Sequence, residues 1–417
     1  MRTRVAYGET LFELMILCGM ILSLSAAHAQ ELKSAPRIVA YFAEWGIYQR
    51  KYNVADIPAD KLTHVNYAFA KIQNSEAALF DPYAAIDKAY PGDTWDPGVL
   101  RGNFKQLQVL KKKHPHLKTL ISVGGWTLSG PFSDAALTDI SRQKLAKSCV
   151  AFMKKYDFDG VDIDWEYPGG GGLETNKTRT EDRQNFTLLL AELRKQLDAQ
   201  GKLDKKKYLL TIAAPAGPKT YKNIELDKIA VHLDWINLMT YDFHGSWSEL
   251  TNFNAPLFAA KADPTKDETI RTRFNADAAV KAYLKAGIPA DKLVLGVPFY
   301  GRGWSGVKNV NNGLYQPASK TPPKGTWEAG MFDYKDLAAN YVGKYQRFWH
   351  DEAKCPWLYD EKAGIMIGYD DAESLRIKAE YVLEHRLGGV MFWELSGDDA
   401  KNTLVNTLHK TLRPAKK

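Results

Sequence analysis

The segment FDGVDIDWEYP, residues 158–168, carries the pattern from which the fold can be worked out. Within it, Val161 and Ile163 alternate with Asp162 and Asp164, and alternation of apolar and polar side chains is typical of a β-strand. We therefore predict a strand over residues 160–164 that leads directly into Glu166.

Further segments on both sides of this strand are rich in β-branched and aromatic residues, which favour strands, and helical patterns lie between most of them. The predicted strands cover residues 38–42, 64–69, 119–123, 160–164, 209–213, 235–239, 293–297 and 389–393. The clearest predicted helices cover residues 97–113, 134–156, 180–200, 275–286 and 372–385. This alternation predicts the α/β class and a (β/α)8 TIM barrel over residues 30–417, with its chemistry at the carboxyl ends of the strands.

The alternation is interrupted between strand seven and the last helix. Residues 303–367 are rich in Gly, Pro, Trp and Tyr, and a structureless loop of that length is uncommon in a compact protein. We predict a small α+β insertion domain at 303–367. Its place after strand seven puts it on the rim of the active site.

The first 29 residues differ from the rest of the chain. Arg2 and Arg4 precede an apolar run at 14–24, and the small residues around Ala29 suit signal peptidase. The apolar run is shorter than the roughly 20 residues that a spanning helix needs. We predict a signal peptide at 1–29 and a secreted protein, extracellular or periplasmic, with no membrane association after cleavage; an uncleaved anchor is the alternative.

The composition is that of a globular protein, with 417 residues, 45% hydrophobic and 25% charged. The net charge of +7 arises from bases spread along the chain, so no nucleic-acid partner is predicted. Cys149 and Cys355 are too few for a disulfide framework and are predicted to be free thiols, with Cys149 on the apolar face of a helix. No pairing of His or Cys has ligand spacing at the active end of the barrel, so we predict no metal. We also predict no cofactor and a monomeric protein.

Three carboxylates mark the candidate catalytic residues. Because side chains alternate along a strand, Asp162, Asp164 and Glu166 share one face, which points inward in a barrel. Burial of carboxylates without cations is costly, and neighbouring carboxylates raise one another's pKa, so that one can remain protonated near neutral pH. The row therefore indicates acid catalysis.

The string DGVDIDWE at 159–166 resembles the DGxDxDxE signature of glycoside hydrolase family 18, the chitinases. Five other segments resemble motifs of the same family, in barrel order. They are YFAEWG at 41–46, SVGGW at 122–126, MTYDF at 239–243, YGRGW at 300–304 and GGVMFW at 388–393. The resemblance covers almost the whole predicted mature chain.

What the resemblance implies is a secreted chitinase that hydrolyses β-1,4 bonds between N-acetylglucosamine units, with retention and with the substrate's own acetamide as nucleophile. Glu166 would protonate the glycosidic oxygen. Asp164 would bind the acetamide N–H and stabilise the positive charge, Asp162 would share a proton with its neighbours, and Tyr241 would hold the acetamide oxygen. The implied ligands are chitin and chitooligosaccharides.

The same resemblance implies a set of sugar-binding residues. Trp393 would form the floor under the cleaved sugar, and Trp45 and Trp126 would be stacking platforms on either side of the bond. The central subsite would be lined by Met239, Asp242 and Arg302, with Tyr41, Phe69 and Phe243 as further candidates. Two alternatives stay open: a catalytically inactive chitin-binding lectin, which the presence of Glu166 disfavours, and an endo-β-N-acetylglucosaminidase acting on N-glycans.

Overall fold

The computed structural model describes residues 35–414, so the predicted signal peptide at 1–29 lies outside the described residues. In chain order the strands are β1 (Arg37–Ala43), β2 (His64–Gln73), β3 (Glu76–Leu79), β4 (Lys118–Gly124), β5 (Gly160–Asp164), β6 (Leu209–Pro215), β7 (Trp235–Met239), β8 (Leu293–Pro298), β9 (Tyr300–Trp304), β10 (Met331–Asp333), β11 (Gln346–His350), β12 (Cys355–Asp360), β13 (Ile365–Gly368) and β14 (Gly389–Trp393). The longer helices are Gly102–Lys113, Asp139–Tyr156, Asp182–Asp204, Ala276–Lys285, Ala372–Glu384 and Thr403–Leu412.

Eight parallel strands in residues 35–414 close into a barrel in the order β1, β2, β4, β5, β6, β7, β8, β14 and back to β1. At the closure, Val39 of β1 lies opposite His64 of β2 on one side and Met391 of β14 on the other. β3 pairs antiparallel with the extended end of β2, outside the ring. The (β/α)8 TIM barrel is therefore confirmed, and its strands fall where the sequence predicts them.

The two faces of β1 show how the core is divided. Ile38, Ala40 and Phe42 face outward into the main core between the strands and the helices, whereas Val39 and Tyr41 belong to a separate cluster that fills the barrel interior. This period of two gives each barrel strand one face toward the interior and one face toward the helices.

The predicted helix at 134–156 is two helices, Phe132–Ala135 and Asp139–Tyr156. Thr138 has an extended backbone, and its side chain accepts a hydrogen bond from the Ser141 N–H at 3.1 Å. A threonine in this geometry caps a helix N-terminus, so the long helix starts anew after it. The helical pattern alone does not reveal this break.

A second, antiparallel sheet with the order β10, β9, β13, β12, β11 lies between β8 and Ala372–Glu384. It has its own buried cluster, which includes Trp304, Trp357 and Met366. This extra sheet agrees with an insertion after strand seven. The sheet itself runs from Tyr300 to Gly368, while the domain bounds 303–367 and 30–417 stay predictions.

Cys149 and Cys355 are buried and unpaired within the described residues, and Cys149 lies on the buried face of Asp139–Tyr156, as predicted. Among residues 35–414, none of the helices combines the length and the apolar character needed to cross a membrane.

Candidate active site

The three predicted acids lie together at the carboxyl end of β5. Asp162 is fully buried, Asp164 is 4% exposed and Glu166, just beyond the strand, is 9% exposed. β5 pairs with β4, which sets Ser122 beside Asp162 and Gly124 beside Asp164. Exposure thus increases along the row toward the open end of the barrel.

Asp162, the deepest acid, is enclosed by donors from four other strands. Its two oxygens accept hydrogen bonds from Tyr41 Oη at 2.7 Å, Ser122 Oγ at 2.8 Å, Thr211 Oγ1 at 2.5 Å and Asn237 Nδ2 at 3.3 Å. Burial raises the pKa of Asp162, and these four donors oppose that shift because they stabilise the carboxylate. Asp162 is therefore fixed in one orientation.

Asp164 differs from Asp162 because its Oδ1 is buried and has no hydrogen-bond partner among the described residues. Burial, together with the negative charges of Glu166 and Asp162, raises the pKa of Asp164 well above its usual range. Burial likewise raises the pKa of Glu166 to about 7; the Tyr167 hydroxyl opposes this shift and the charge of Asp242 adds to it. The pair therefore retains a proton near neutral pH.

Tyr241 follows β7 and supplies a donor to the same site. Burial and the charges of Asp164 and Asp242 raise the pKa of its phenol well above 10, so the hydroxyl stays protonated. Its one hydrogen-bond contact among the described residues is the weak one to Met391 Sδ at 3.8 Å. The site thus contains an acceptor, Asp164 Oδ1, and a donor, the Tyr241 hydroxyl, that are both available to a ligand.

Two glycines at the end of β4 allow the site to close around Asp164. Gly124 and Gly125 have φ values of 108° and 88°, and a Cβ on them would lie 2.2 Å from the Asp164 carbonyl oxygen and 2.5 Å from the Phe69 ring. Ser129 completes this support, since its Oγ accepts from the Glu166 N–H at 2.8 Å and donates to the Asp164 carbonyl at 3.1 Å. Only glycine suits such an approach.

Four of the predicted sugar-binding aromatics form one cluster around Trp393. The ring of Trp393 stacks on Phe69 at 5.8 Å and 15°, with Tyr41 at 5.6 Å and Trp45 at 6.2 Å between centroids. Tyr41 is buried at the back of the cluster, where its hydroxyl binds Asp162. Trp45 is therefore part of the central cluster and leans against Trp393 and Phe69.

A second group extends from Tyr241. Arg302 Nε donates to Asp242 Oδ1 at 2.8 Å, and its guanidinium lies over the rings of Tyr300 and Trp247, at 5.3 Å and 5.1 Å. Asp242 raises the pKa of Arg302, against the opposing effect of burial. Met239, half-buried at the end of β7, packs with the interior cluster that includes Tyr241 and Trp393.

Two predicted residues lie apart from these groups. Trp126 is 46% exposed, and its ring stacks on none of the described aromatic rings. Phe243 is 4% exposed and packs on Phe274 in the core between barrel and helices. Burial on that side leaves Phe243 little surface for a ligand.

A sequence profile of the family described as Glycosyl hydrolases family 18 matches residues 37–398. The chain belongs to glycoside hydrolase family 18. The match includes every strand of the barrel and the whole second sheet.

Two named chitinases and one family 18 N-acetylglucosaminidase resemble the chain over most of its length. Chitinase A1 from Niallia circulans is 48% identical over 415 residues, covering 92% of this chain and 59% of that protein. The structure of chitinase ChiA74 from Bacillus thuringiensis superposes with a TM-score of 0.86 at 44% identity, covering 92% of this chain and 71% of that one. A family 18 N-acetylglucosaminidase from Paenibacillus barengoltzii has a TM-score of 0.75 at 35% identity, covering 90% and 99%. This chain thus spans somewhat more than half of Chitinase A1.

Several residues of this family 18 site are absent from the sequence predictions. Ser122, Thr211 and Asn237 fix Asp162. Thr211 and Asn237 are each the single polar residue of an apolar strand, which is a usable signal, whereas Ser122 shares β4 with Lys118 and Thr119. Trp247 is 60% exposed and stacks with Arg302, but a lone tryptophan in a loop gives no such signal.

Glu44, beside Trp45, gives a prediction about stability. It is buried, its Oε2 accepts from Tyr67 Oη at 3.0 Å and its Oε1 has no partner among the described residues. Burial raises the pKa of Glu44 to about 8. The unfolded chain therefore ionises first, and stability falls as pH rises from the usual glutamate range toward 8.

We expect Glu44→Gln to remove part of that loss, by up to about 1.4 kcal/mol per pH unit in this window. Urea unfolding at several pH values measures it, with the exposed Glu361→Gln as control. Parallel pH profiles for wild type and Glu44→Gln would mean that Glu44 is already ionised in the folded protein.

Proposed function

We propose that this family 18 protein is a chitinase that hydrolyses β-1,4 bonds between N-acetylglucosamine units by substrate-assisted, retaining catalysis. The observation that carries this proposal is the free Oδ1 of Asp164 together with the protonated hydroxyl of Tyr241. An acetamide has one N–H donor and one carbonyl acceptor. Asp164 and Tyr241 offer the complementary pair, and unpartnered buried groups favour a ligand that satisfies them.

In this mechanism Glu166 donates its proton to the glycosidic oxygen as the bond to the anomeric carbon breaks. The acetamide carbonyl oxygen attacks that carbon from the other face and forms an oxazolinium ion. In this mechanism the proton of the pair lies on Glu166, so Asp164 is a carboxylate. It accepts the acetamide N–H and its negative charge stabilises the cation, while Tyr241 orients the carbonyl oxygen. Glu166, now a carboxylate, removes a proton from water, which opens the ring with net retention.

Asp162 has a supporting part in this proposal. Its negative charge raises the pKa of Asp164, and the four donors around it hold that charge in place. A proton passing between the two aspartates would adjust their charge as the cation forms and decays.

The binding surface follows from the two aromatic groups. Trp393, backed by Phe69, provides a flat floor for the sugar that is cleaved, and Met239, Asp242 and Arg302 line the next part of the central subsite. Trp247 extends this side, because Arg302 stabilises its ring while 60% of the residue stays exposed.

Digestion of chitin hexamer in isotopically labelled water, followed by mass spectrometry and by NMR of the first product anomer, tests the proposal. We expect shorter oligomers with the β-anomer formed first. Binding without products would favour the lectin, and release of N-glycans from a glycoprotein without cleavage of the hexamer would favour the endo-β-N-acetylglucosaminidase.

The proposed substrate fits a secreted monomer acting on chitin outside the cytoplasm, with residues 1–29 removed as a signal peptide. N-terminal sequencing of protein recovered from the culture medium or periplasm should begin at Gln30. A mature protein that still begins at residue 1 in a membrane fraction would favour the uncleaved anchor.

Trp45 and Trp126 form a matched pair for testing the cleft. Trp126 is exposed and separate from the central cluster, so Trp126→Ala should weaken activity on crystalline chitin by about tenfold and act little on a short soluble oligomer. Trp45 packs on Trp393, so Trp45→Ala should reduce activity on both substrates. Initial rates on the two substrates measure this, and identical profiles for the two variants would contradict the assignment.

A further inference from the structure

Three separate segments of the chain meet at Arg50, a residue outside the catalytic row. Its Nη1 lies 2.7 Å from Asp333 Oδ2 and 3.5 Å from Glu394 Oε1. Arg50 follows β1, Asp333 ends β10 in the second sheet, and Glu394 directly follows Trp393. One side chain therefore joins the barrel's first loop, the insertion and the end of β14.

Arg50 neutralises two carboxylates that are both buried. The side chains of Asp333 and Glu394 are only 3% and 7% exposed, and that of Arg50 is 12% exposed. Among the described residues, Glu394 has no cationic side chain other than Arg50 within 4.0 Å. Asp333 also has Lys335, at 3.8 Å. Without Arg50, Glu394 would have no cation within 4.0 Å among the described residues and Asp333 would have only Lys335, which is unfavourable for buried carboxylates.

The same arginine also holds an aromatic ring of the insertion. Trp327 Nε1 donates to Asp333 Oδ2 at 2.8 Å, and the Arg50 guanidinium lies 5.1 Å from the centre of the Trp327 ring. Trp327 nevertheless remains 41% exposed. The indole is thus fixed by a hydrogen bond and a cation–π contact, and part of it is open to a ligand.

We propose that Arg50 is a positioning residue that sets Trp327 of the insertion in a fixed relation to the Trp393 floor, through Asp333 and Glu394, so that a long chain is bound by the barrel and the insertion together. Arg50 itself does not take part in bond cleavage. The inference rests on the proposed chitinase function, because its readout is the binding of a chitin chain.

The first test compares long and short substrates. Arg50→Ala should raise KM for a soluble chitin polymer at least about fivefold, the lower end for loss of one ring stack, with kcat changed less than about twofold. KM for an aryl chitobioside, which makes fewer contacts than the polymer, should rise less. An unchanged KM for the polymer would overturn the inference.

Arg347→Ala is the matched control. Arg347 lies in β11, at the opposite edge of the same sheet, and pairs with Asp371 at 2.8 Å and Glu373 at 2.7 Å. The Arg347→Ala variant therefore also loses an ion pair made by the insertion, but at a position remote from Trp327. Arg347→Ala should leave both KM values unchanged, and a rise equal to that of Arg50→Ala would show a general loss of stability instead of positioning.

A double-mutant cycle with Trp327→Ala identifies the route of the effect. If Arg50 acts through Trp327, the double variant should have the same polymer KM as Trp327→Ala alone. If the polymer KM of the double variant rises by the product of the two single-variant factors, the inference is overturned, because Arg50 then acts independently of the Trp327 ring. Should Arg50→Ala fail to fold by circular dichroism, Arg50→Lys enters the same cycle, since Lys keeps the charge without the planar stack.

The same experiments distinguish failure of this inference from failure of the proposed function. A wild-type protein that does not cleave the polymer would contradict the chitinase assignment. A wild type that cleaves it, with Arg50→Ala equal to wild type, would contradict only the role of Arg50.

Discussion

Glu166→Gln should lower kcat on chitin hexamer by about 10² or more, within the range of general acid catalysis. Glutamine keeps the size and the hydrogen-bonding shape of the side chain but has no acidic proton to give. Glu166 has a pKa of about 7 because it is buried, so it holds its proton at the pH where the leaving group needs it. Dissociation constants from calorimetry should stay close to those of wild type.

The leaving group and the pH provide two checks on this result. An aryl glycoside with an acidic phenol needs less protonation, so its bond-cleavage step should be less sensitive to Glu166→Gln than that of the hexamer. In wild type, kcat/KM should fall as pH rises above about 7, as Glu166 loses its proton. Retention of most wild-type turnover on the hexamer by Glu166→Gln would assign the acid to another residue.

The barrel could be predicted from the sequence because its signals are local. Strands such as Gly160–Asp164 and Trp235–Met239 show their period and composition within five residues, and βα order then dictates the topology. The row of Asp162, Asp164 and Glu166 follows from the same alternation. The break at Thr138 escapes this reasoning, because a cap depends on one backbone conformation.

The parts that could not be predicted depend on contacts between distant residues. Trp45 and Trp393 are far apart in the chain, and only closure of β1 on β14 brings their rings to 6.2 Å. The four donors to Asp162 come from four different strands, and no single segment reveals them. Phe243 follows a motif strand, yet its ring turns to Phe274 in the core, because direction after a strand end no longer obeys the period of two.

Asp164→Asn gives the second large effect that we expect. Asparagine fits the same space, but it carries no negative charge to stabilise the oxazolinium ion, and its amide can offer a donor where the substrate's N–H needs an acceptor. Loss of one such preorganised contact typically costs about 10² to 10³ in kcat. Rates on chitin hexamer, with Asp134→Asn as an exposed control, measure the loss.

A thiazoline mimic of the oxazolinium ion separates this role from a general disturbance of the site. If Asp164 stabilises the cation, Asp164→Asn should weaken inhibition by the mimic roughly in step with the loss of kcat, because both depend on the same transition-state contact. Fully deacetylated chitosan, which lacks the nucleophile, should resist wild type. Unchanged inhibition in the variant would mean that the free Oδ1 of Asp164 serves a different ligand group. Rapid cleavage of chitosan would mean that the acetamide is not the nucleophile, so that a protein carboxylate or an activated water takes its place.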